Sequence, residues 1–534
     1  MSNPPKALTA IDSPIDERFG TDKFLAKAMR KAFPDHWSFL LGEIAMYSFF
    51  IIVATGIFLT FFFKPSMTEV VYHGSYVPLR GVRMSEAYAS TLNLSFDVRG
   101  GLLMRQIHHW STILFLGAIV IHLLRNFFTG AFRKPRELNW LIGVVLFTLA
   151  LLNGLFGYSL PDDLLSGTGL RILEGVILSL PLVGSYLMYF LFGSGGFPGE
   201  DLIPRLFAIH VLLIPGILLA LIPLHAIVLT WRQTHTQFPG KGSGVRTVRG
   251  YPFYPVFIAK TTAFFLWVFG VTALLATFFQ INPIWIFGPY SPEEISAGSQ
   301  PDWYMGFLEG ALRIMPSWEI NALGHTLPMS VIVPALVVPG VLFTGLAVYP
   351  FIERWVTGDY AVHHLLDRPR DVPPRTGLGA AGVTFYGVLW AAGGNDILAK
   401  TFDVPLFWTT WFFRGAIILG PVIAYIVAYR VCLGLQRKDR GLIHHGLESG
   451  IIRRMPSGEY IEVERPVSQV MAAPITDERL PAALTLGRPE DAGVEPPEVR
   501  NPLGRLRVAL NRRFVADLAE PPTRDGDGEH RAIE

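Results

Sequence analysis

Residues 106–126 read QIHHWSTILFLGAIVIHLLRN, with three histidines in an otherwise apolar run. His108 and His122 stand 14 positions apart. An α-helix rises about 1.5 Å and turns about 100° per residue, which separates the two by about 21 Å and keeps them within about 40° of one face. His109 points about 100° away. Histidines at two depths of an apolar helix admit three readings. They are core residues satisfied by neighbours, a proton or ion path, or ligands to something held inside the membrane.

The rest of the chain makes this helix a membrane span. Its 534 residues are 51% hydrophobic and 16% charged, with mean hydropathy +0.38; soluble chains carry about 25% charged residues. Crossing a hydrocarbon core of about 30 Å takes about 20 apolar residues. Eight spans are expected near 38–63, 106–129, 138–157, 206–231, 260–281, 327–350, 379–394 and 406–432. The fold class is an all-α polytopic bundle. The seventh span, GAAGVTFYGVLWAAGG, is short and rich in glycine. A rival segment, RILEGVILSLPLVGSYLMYFLF (171–192), carries Glu174 and a central Pro181, which argue for two short surface helices.

Charge sets the direction. Segment 1–37 has six Lys and Arg, and loops 130–137, 232–259 and 351–378 have three, four and four. The alternate loops 158–205, 282–326 and 395–405 have two, one and one, which puts both termini in the cytoplasm. Loop 64–104, long and with four, fits this less well. No cleavable signal precedes the first span. The polar tail 435–534 is expected to be a cytoplasmic extension with little core of its own. The loop GPYSPEEISAGSQPDWYMG (288–306) reads as an ordered or functional loop rather than a strand. A net charge of +2 suggests no nucleic-acid partner, and one cysteine, Cys432, excludes internal disulfides, a Cys-ligated iron–sulfur cluster and a C-x-x-C-H haem site.

The fourth span repeats the histidine pattern with His210 and His225, 15 apart. In an ideal helix that is about 22 Å and a rotation of about +60°. The second and fourth spans run parallel, so His108 is level with His210 near the outer side and His122 with His225 near the inner side. Two facing imidazoles suit an iron with both axial positions filled, which passes electrons and leaves no open site. Arg105, Arg125 and Arg205 lie toward the span ends, where they either snorkel or pair with haem propionates. Gly42 and Gly56 in the first span, and Gly143 and Gly157 in the third, are again 14 apart. They serve helix packing or clear room for a macrocycle at the two iron depths.

With these motifs, residues 37–434 resemble cytochrome b of the respiratory cytochrome bc complexes. GYSLP (157–161) is similar to the end of the family's third span, and Pro301-Asp302-Trp303-Tyr304 to its Pro-Glu-Trp-Tyr motif at the outer quinol site. Asp302 departs from the family's glutamate by one methylene. The spacing of 15 is like the photosynthetic branch. Thr261 follows Lys260 where the mitochondrial form has an aspartate, which leaves the inner quinone site unassigned. His235 is either an inner-site proton donor or a solvated loop histidine.

The resemblance implies a di-haem four-helix core at 38–232, holding two non-covalent haems b, and a quinol-site region at 233–434. It also implies quinol oxidation at the outer side, with one electron going to a Rieske iron–sulfur protein. The other crosses through the haems to an inner quinone, coupled to proton release outside. Asp302 is the expected proton acceptor, its pKa raised by burial. Tyr304 is expected to bind quinol or shape the pocket, and Tyr158 to line it. His109 is a packed, hydrogen-bonded histidine rather than a proton relay or haem-edge residue, and Glu309 and His325 are secondary candidates for proton transfer. The fused core and long tail are similar to the actinobacterial form, which implies menaquinol, a cytochrome c subunit, a cytochrome c oxidase in a supercomplex, a dimer and a cell-membrane location among lipids. Two other classes compete: a di-haem anchor of a hydrogenase or formate dehydrogenase, which lacks the PDWY loop, and a proton-coupled transporter.

Overall fold

The computed structural model describes residues 28–193, 197–231, 233–239, 247–296, 300–322, 324–445, 447–465 and 502–515. Among the described residues seven helices are long and apolar enough to cross a membrane: Trp37–Thr60, Gly101–Phe128, Glu137–Ser159, Leu202–Ile227, Phe253–Phe278, Met329–Thr357 and Leu406–Leu442. The fold is the expected helical bundle.

The eighth expected span differs. Pro373–Ala392 is a helix of 20 residues, and at 1.5 Å per residue it reaches about 30 Å, yet it does not qualify by composition. Its glycines explain the dilution. A Cβ on Gly379 would come 2.6 Å from Phe128 of the second span, and one on Gly377 would come 2.9 Å from Tyr425 of the last helix. Small residues here let neighbouring helices approach closely where lipid supplies no hydrophobic drive between them.

The rival segment forms two short helices, Leu164–Leu178 and Gly184–Phe192, with Pro181 between them. Asp163 starts the first of these by accepting from the backbone N–H groups of Leu165 and Ser166 at 3.2 and 3.3 Å. The described parts of the tail form regular structure. The last helix runs on through residue 434 to His445, a hairpin pairs Leu447–Arg454 with Tyr460–Arg465, and a helix covers Pro502–Val515. The N-terminal segment is tied in by a short strand, Ala32–Phe33, paired with Tyr251–Pro252.

The first four spans enclose a packed centre of Phe49, Phe115, Leu116, Phe147, Leu151, Ile214 and Leu218, completed by Tyr304 from the loop side. Apolar side chains elsewhere face outward, such as Trp267 (72% exposed) and Ile418 (69% exposed), as a lipid-facing surface requires.

The fourth span is not a uniform α-helix. Ile209–Leu213 and Leu224–Trp231 are π-helical, and Pro215 and Pro223 stand beside them. Proline removes an N–H and crowds the carbonyl four residues back, and a widened turn relieves both. Both histidines of this span, His210 and His225, lie in the π segments. A π-bulge adds a residue without advancing the helical face, so the 15-residue spacing departs from the ideal-helix rotation derived above.

Candidate functional site

The four histidines meet the four glycines one to one. A Cβ built on Gly56 would lie 3.2 Å from Cε1 of His108, and one on Gly42 would lie 3.3 Å from Cε1 of His122. On the third span, Gly157 faces His210 at 2.3 Å and Gly143 faces His225 at 3.5 Å. Antiparallel neighbours pair the end of one helix with the start of the next, so two glycines 14 apart meet two histidines in reverse order. The result is two levels inside one four-helix bundle.

At the outer level the ring centroids of His108 and His210 are 6.3 Å apart, with ring planes at 72°. Metal–imidazole bonds of about 2.0–2.1 Å, with each centroid roughly 1 Å behind its nitrogen, give about 6 Å for two rings on one metal. The second ring nitrogens are engaged. The Thr55 hydroxyl donates to the Ile51 carbonyl at 2.7 Å, so its oxygen accepts from Nδ1 of His108 at 3.0 Å. His210 Nδ1 donates to the Asn153 carbonyl at 2.9 Å. Both contacts leave Nε2 as the unprotonated nitrogen that could ligate a metal, the usual support for a ligating imidazole.

At the inner level His225 interacts with the backbone of Asn139, 14 residues before Asn153. His122 is held differently. Its Nε2 accepts from the Asn126 amide at 3.0 Å, and its Nδ1 is buried with no partner. Ligation through Nε2 would require Asn126 to turn away.

The three arginines separate. Among the described residues, Nη1 of Arg105 and Nε of Arg125 are buried donors without partners. Arg105 also reaches the Asn282 carbonyl at 2.9 Å, and Arg125 lies 4.4 Å over the Phe39 ring. Arg205 is already held by Asp201 at 2.8 Å and the Tyr189 carbonyl at 2.9 Å, as a structural cation would be. Among the described residues no group of three or more His, Cys, Asp or Glu could hold a bare metal ion. The paired imidazoles, glycine clearances and buried arginine donors fit a metal carried in an anionic macrocycle.

A second cluster lies at the PDWY loop. Asp302 Oδ2 sits 3.0 Å from Nε2 of His109 and accepts from the Tyr304 hydroxyl at 3.0 Å. Tyr304 is 1% exposed, and a Cβ on Gly154 would come 2.7 Å from its hydroxyl oxygen. The sequence reading missed Gly154, which falls outside the 14-residue pairs, and the pairing of His109 with Asp302. It also expected burial to raise the Asp302 pKa. Burial does push it up, but the charge and hydrogen bond of His109, with the Tyr304 hydroxyl, outweigh that and hold the carboxyl below its usual range.

Tyr158 ends the third span within electrostatic reach of Asp302, Asp163 and Glu309. Next to Asp163, Asp162 is pushed up to about 7, chiefly by burial and against a Ser85 hydrogen bond, with Asp163 adding to the rise. Glu309 is bound by Arg313, which also holds Asp396 at 2.8 Å, while the other Glu309 carboxylate oxygen is buried and unpaired. Burial raises the Glu309 pKa despite Arg313. His325 lies in the hairpin Glu319–Ala322/His325–Pro328, and its side chain is outside the described set.

At the inner end, Thr261 donates to Glu43 Oε2 at 2.7 Å, and Tyr47 donates to the same oxygen at 2.9 Å. Lys260 turns away to Asp35 at 2.7 Å. The reading of Thr261 as a missing carboxylate overlooked Glu43, the residue after Gly42 and an acid within an apolar span. His235 is not a solvated loop residue. Its ring lies 4.4 Å from that of Phe33, tilted by 44°, and its pKa is lowered to about 4 by burial, Lys31 and Arg136.

Histidines at two depths of a helical bundle, each facing a glycine, are the arrangement expected of a membrane cytochrome. The model for the family "Cytochrome b(N-terminal)/b6/petB" matches residues 113–289. Proteins named "Cytochrome bc1 complex cytochrome b subunit" are similar over most of the chain. The one from Streptomyces coelicolor is 53% identical over 510 residues, 95% of this chain and 92% of that one. The one from Mycobacterium leprae is 51% identical over 512 residues, 96% and 90% of the two chains. The chain belongs to the cytochrome b subunits of the cytochrome bc1 complex, an integral membrane, haem-binding family of electron-transport oxidoreductases. A solved chain of a "Hyperthermophilic respiratory Complex III" shares the fold, with TM-score 0.57 and 21% identity over 78% of this chain and 98% of that one.

Proposed function

We propose that the chain is the di-haem catalytic subunit of a quinol–cytochrome c reductase that oxidises menaquinol at its outer side. The observation that carries this reading is the set of four histidine–glycine contacts at two levels. His108 and His210 would hold one haem b and His122 and His225 the other, with Gly42, Gly56, Gly143 and Gly157 clearing the macrocycles. Arg105 and Arg125 offer propionates their buried donors; Arg205 is the weaker candidate. When bound, the haems supply one-electron transfer between the two sides of the membrane.

The chain's own work is to orient and to move protons. Thr55 and the Asn153 carbonyl fix the outer imidazoles. Asp302, ionised and acceptor-only, takes a proton from a quinol hydroxyl in the pocket bounded by Tyr304 and Tyr158. His109, whose Nε2–H donates to Asp302, holds that carboxylate ionised and oriented. Glu309 and Asp162 are groups of raised pKa on the outward side. One electron leaves to a Rieske iron–sulfur partner and the other crosses to an inner quinone, where Glu43 with Tyr47 and Thr261 is the proton-bearing group. A cytochrome c subunit, an oxidase in a supercomplex and a dimeric assembly complete the proposal, in the cell membrane with both termini cytoplasmic.

The test is a pyridine haemochrome assay with stepwise redox titration of the purified protein. Two b-type haems per chain with separable potentials are expected. One haem, or none, from a haem-replete preparation would sink the two-level reading.

A further inference from the structure

The helix Pro502–Val515, PLGRLRVALNRRFV, has no part in the chemistry above and contains no acidic residue. One side of it is docked. Arg507 Nε donates to the Trp355 carbonyl at 2.8 Å and Asn511 Nδ2 to the Val356 carbonyl at 3.0 Å. Asn511 is fully buried and Val508 is 8% exposed. These carbonyls belong to the last turn of the span Met329–Thr357, where a helix leaves four acceptors without intrahelical donors. The helix therefore caps the end of a membrane span with an amide and a cation.

That contact fixes its depth. The span has 29 residues, about 43 Å at 1.5 Å each, against a hydrocarbon core of about 30 Å and about 40–45 Å with headgroups. Its final turn lies in the headgroup layer, and so does whatever caps it. The free side of the capping helix is apolar: Leu503 is 68% exposed, Leu506 50% and Leu510 37%. At 100° per residue the three fall within about 60° of one another. Arg513 borders this stripe, while Arg505 and Arg512 fall on the far side, more than about 100° away. An apolar stripe with a cationic remainder is the pattern of a helix lying in a bilayer interface, and cations there are drawn to anionic headgroups.

We propose that Pro502–Val515 is an interfacial anchor, with Leu503, Leu506 and Leu510 inserted at the boundary between headgroups and acyl chains. It ties the long tail to the membrane at the end of the sixth span.

The test uses the full chain in its complex, reconstituted into vesicles of phosphatidylcholine and phosphatidylglycerol. Leu506→Cys and Arg512→Cys each carry a polarity-sensitive fluorophore. The native Cys432 is 4% exposed and leaves the label to the introduced thiol. The label at 506 should be blue-shifted, quenched by lipids bearing a nitroxide near the headgroup, and protected from aqueous iodide. The label at 512 should show the reverse. Iodide quenching at both positions would overturn the proposal by leaving the helix in water. Protection of position 506 from both quenchers would overturn it in favour of a protein cover.

Discussion

Asp302 Oδ2 lies 3.0 Å from Nε2 of His109 and receives the Tyr304 hydroxyl at the same distance. A carboxylate so held by two donors is an acceptor near neutral pH. Positioned proton acceptors contribute about 10²–10⁴-fold. Asp302→Asn should lower quinol oxidation by about 10²-fold or more, with the haem spectrum intact. Full activity with intact haems would remove Asp302 from the proton path.

The glycine contacts predict a graded series. A methyl group at Gly157 meets His210 at 2.3 Å, closer than atoms approach without moving, whereas Gly143 leaves 3.5 Å to His225. Gly157→Ala should displace the His210 ring and cut outer-level haem content, read by optical redox titration. Gly143→Ala should titrate like the wild type. Equal tolerance of both would mean that these glycines do not position the imidazoles.

Asp162 and Asp302 should respond to pH with opposite sign. The folded pKa of Asp162 is raised to about 7, so its neutral form favours the folded state. That stability is fully present below the unfolded value of about 3.9 and lost as pH rises through about 7. Asp302 is depressed, and its contribution is present above about 3.9 and lost as pH falls through its folded value. Melting of Asp162→Asn should match the wild type in acid and exceed it at pH about 8, because the amide avoids burying a charge. A melting difference that does not change with pH would contradict the assignment.

Glu43 accepts from Thr261 and Tyr47 with no cation among the three. Intramembrane acids in such settings mark functional sites. Glu43→Gln should leave the first reduction of the b haems by quinol unchanged and slow their reoxidation by quinone about 10-fold or more, the low end set by lost acid–base help. Stopped-flow spectroscopy separates the two phases. Unchanged reoxidation would exclude Glu43.

Arg375 and Glu353 form a buried pair, with side chains 2% and 5% exposed, and Arg375 also holds Asp367 at 2.7 Å. Removing Glu353 leaves the buried Arg375 with one carboxylate, Asp367, which Arg133 also holds, and breaking a buried pair costs about 3–5 kcal/mol. Glu353→Ala should lower the thermal midpoint in detergent clearly, whereas Lys64→Ala, removing an exposed pair with Glu86, should leave it nearly unchanged.

Much of this molecule is legible along the chain. Of the eight spans read from hydropathy, seven reappear among the described residues as long apolar helices, because each must satisfy its own backbone in lipid and the signal is local. The histidine and glycine spacings are local too: a helix converts 14 positions into one face and two depths. The PDWY loop carries its resemblance in four adjacent residues.

What the chain could not show by itself depends on partners brought from far away in sequence. His109 and Asp302 are 193 positions apart, and Thr261 and Glu43 218. Their contacts decide a pKa direction and the location of an acid, since each reflects the sum of burial and neighbours rather than residue type. The same holds for the fourth span, where ideal-helix arithmetic missed the π turns beside its prolines. Spacing along one helix is a property of sequence; the charge state and orientation of a buried side chain belong to the helices packed around it.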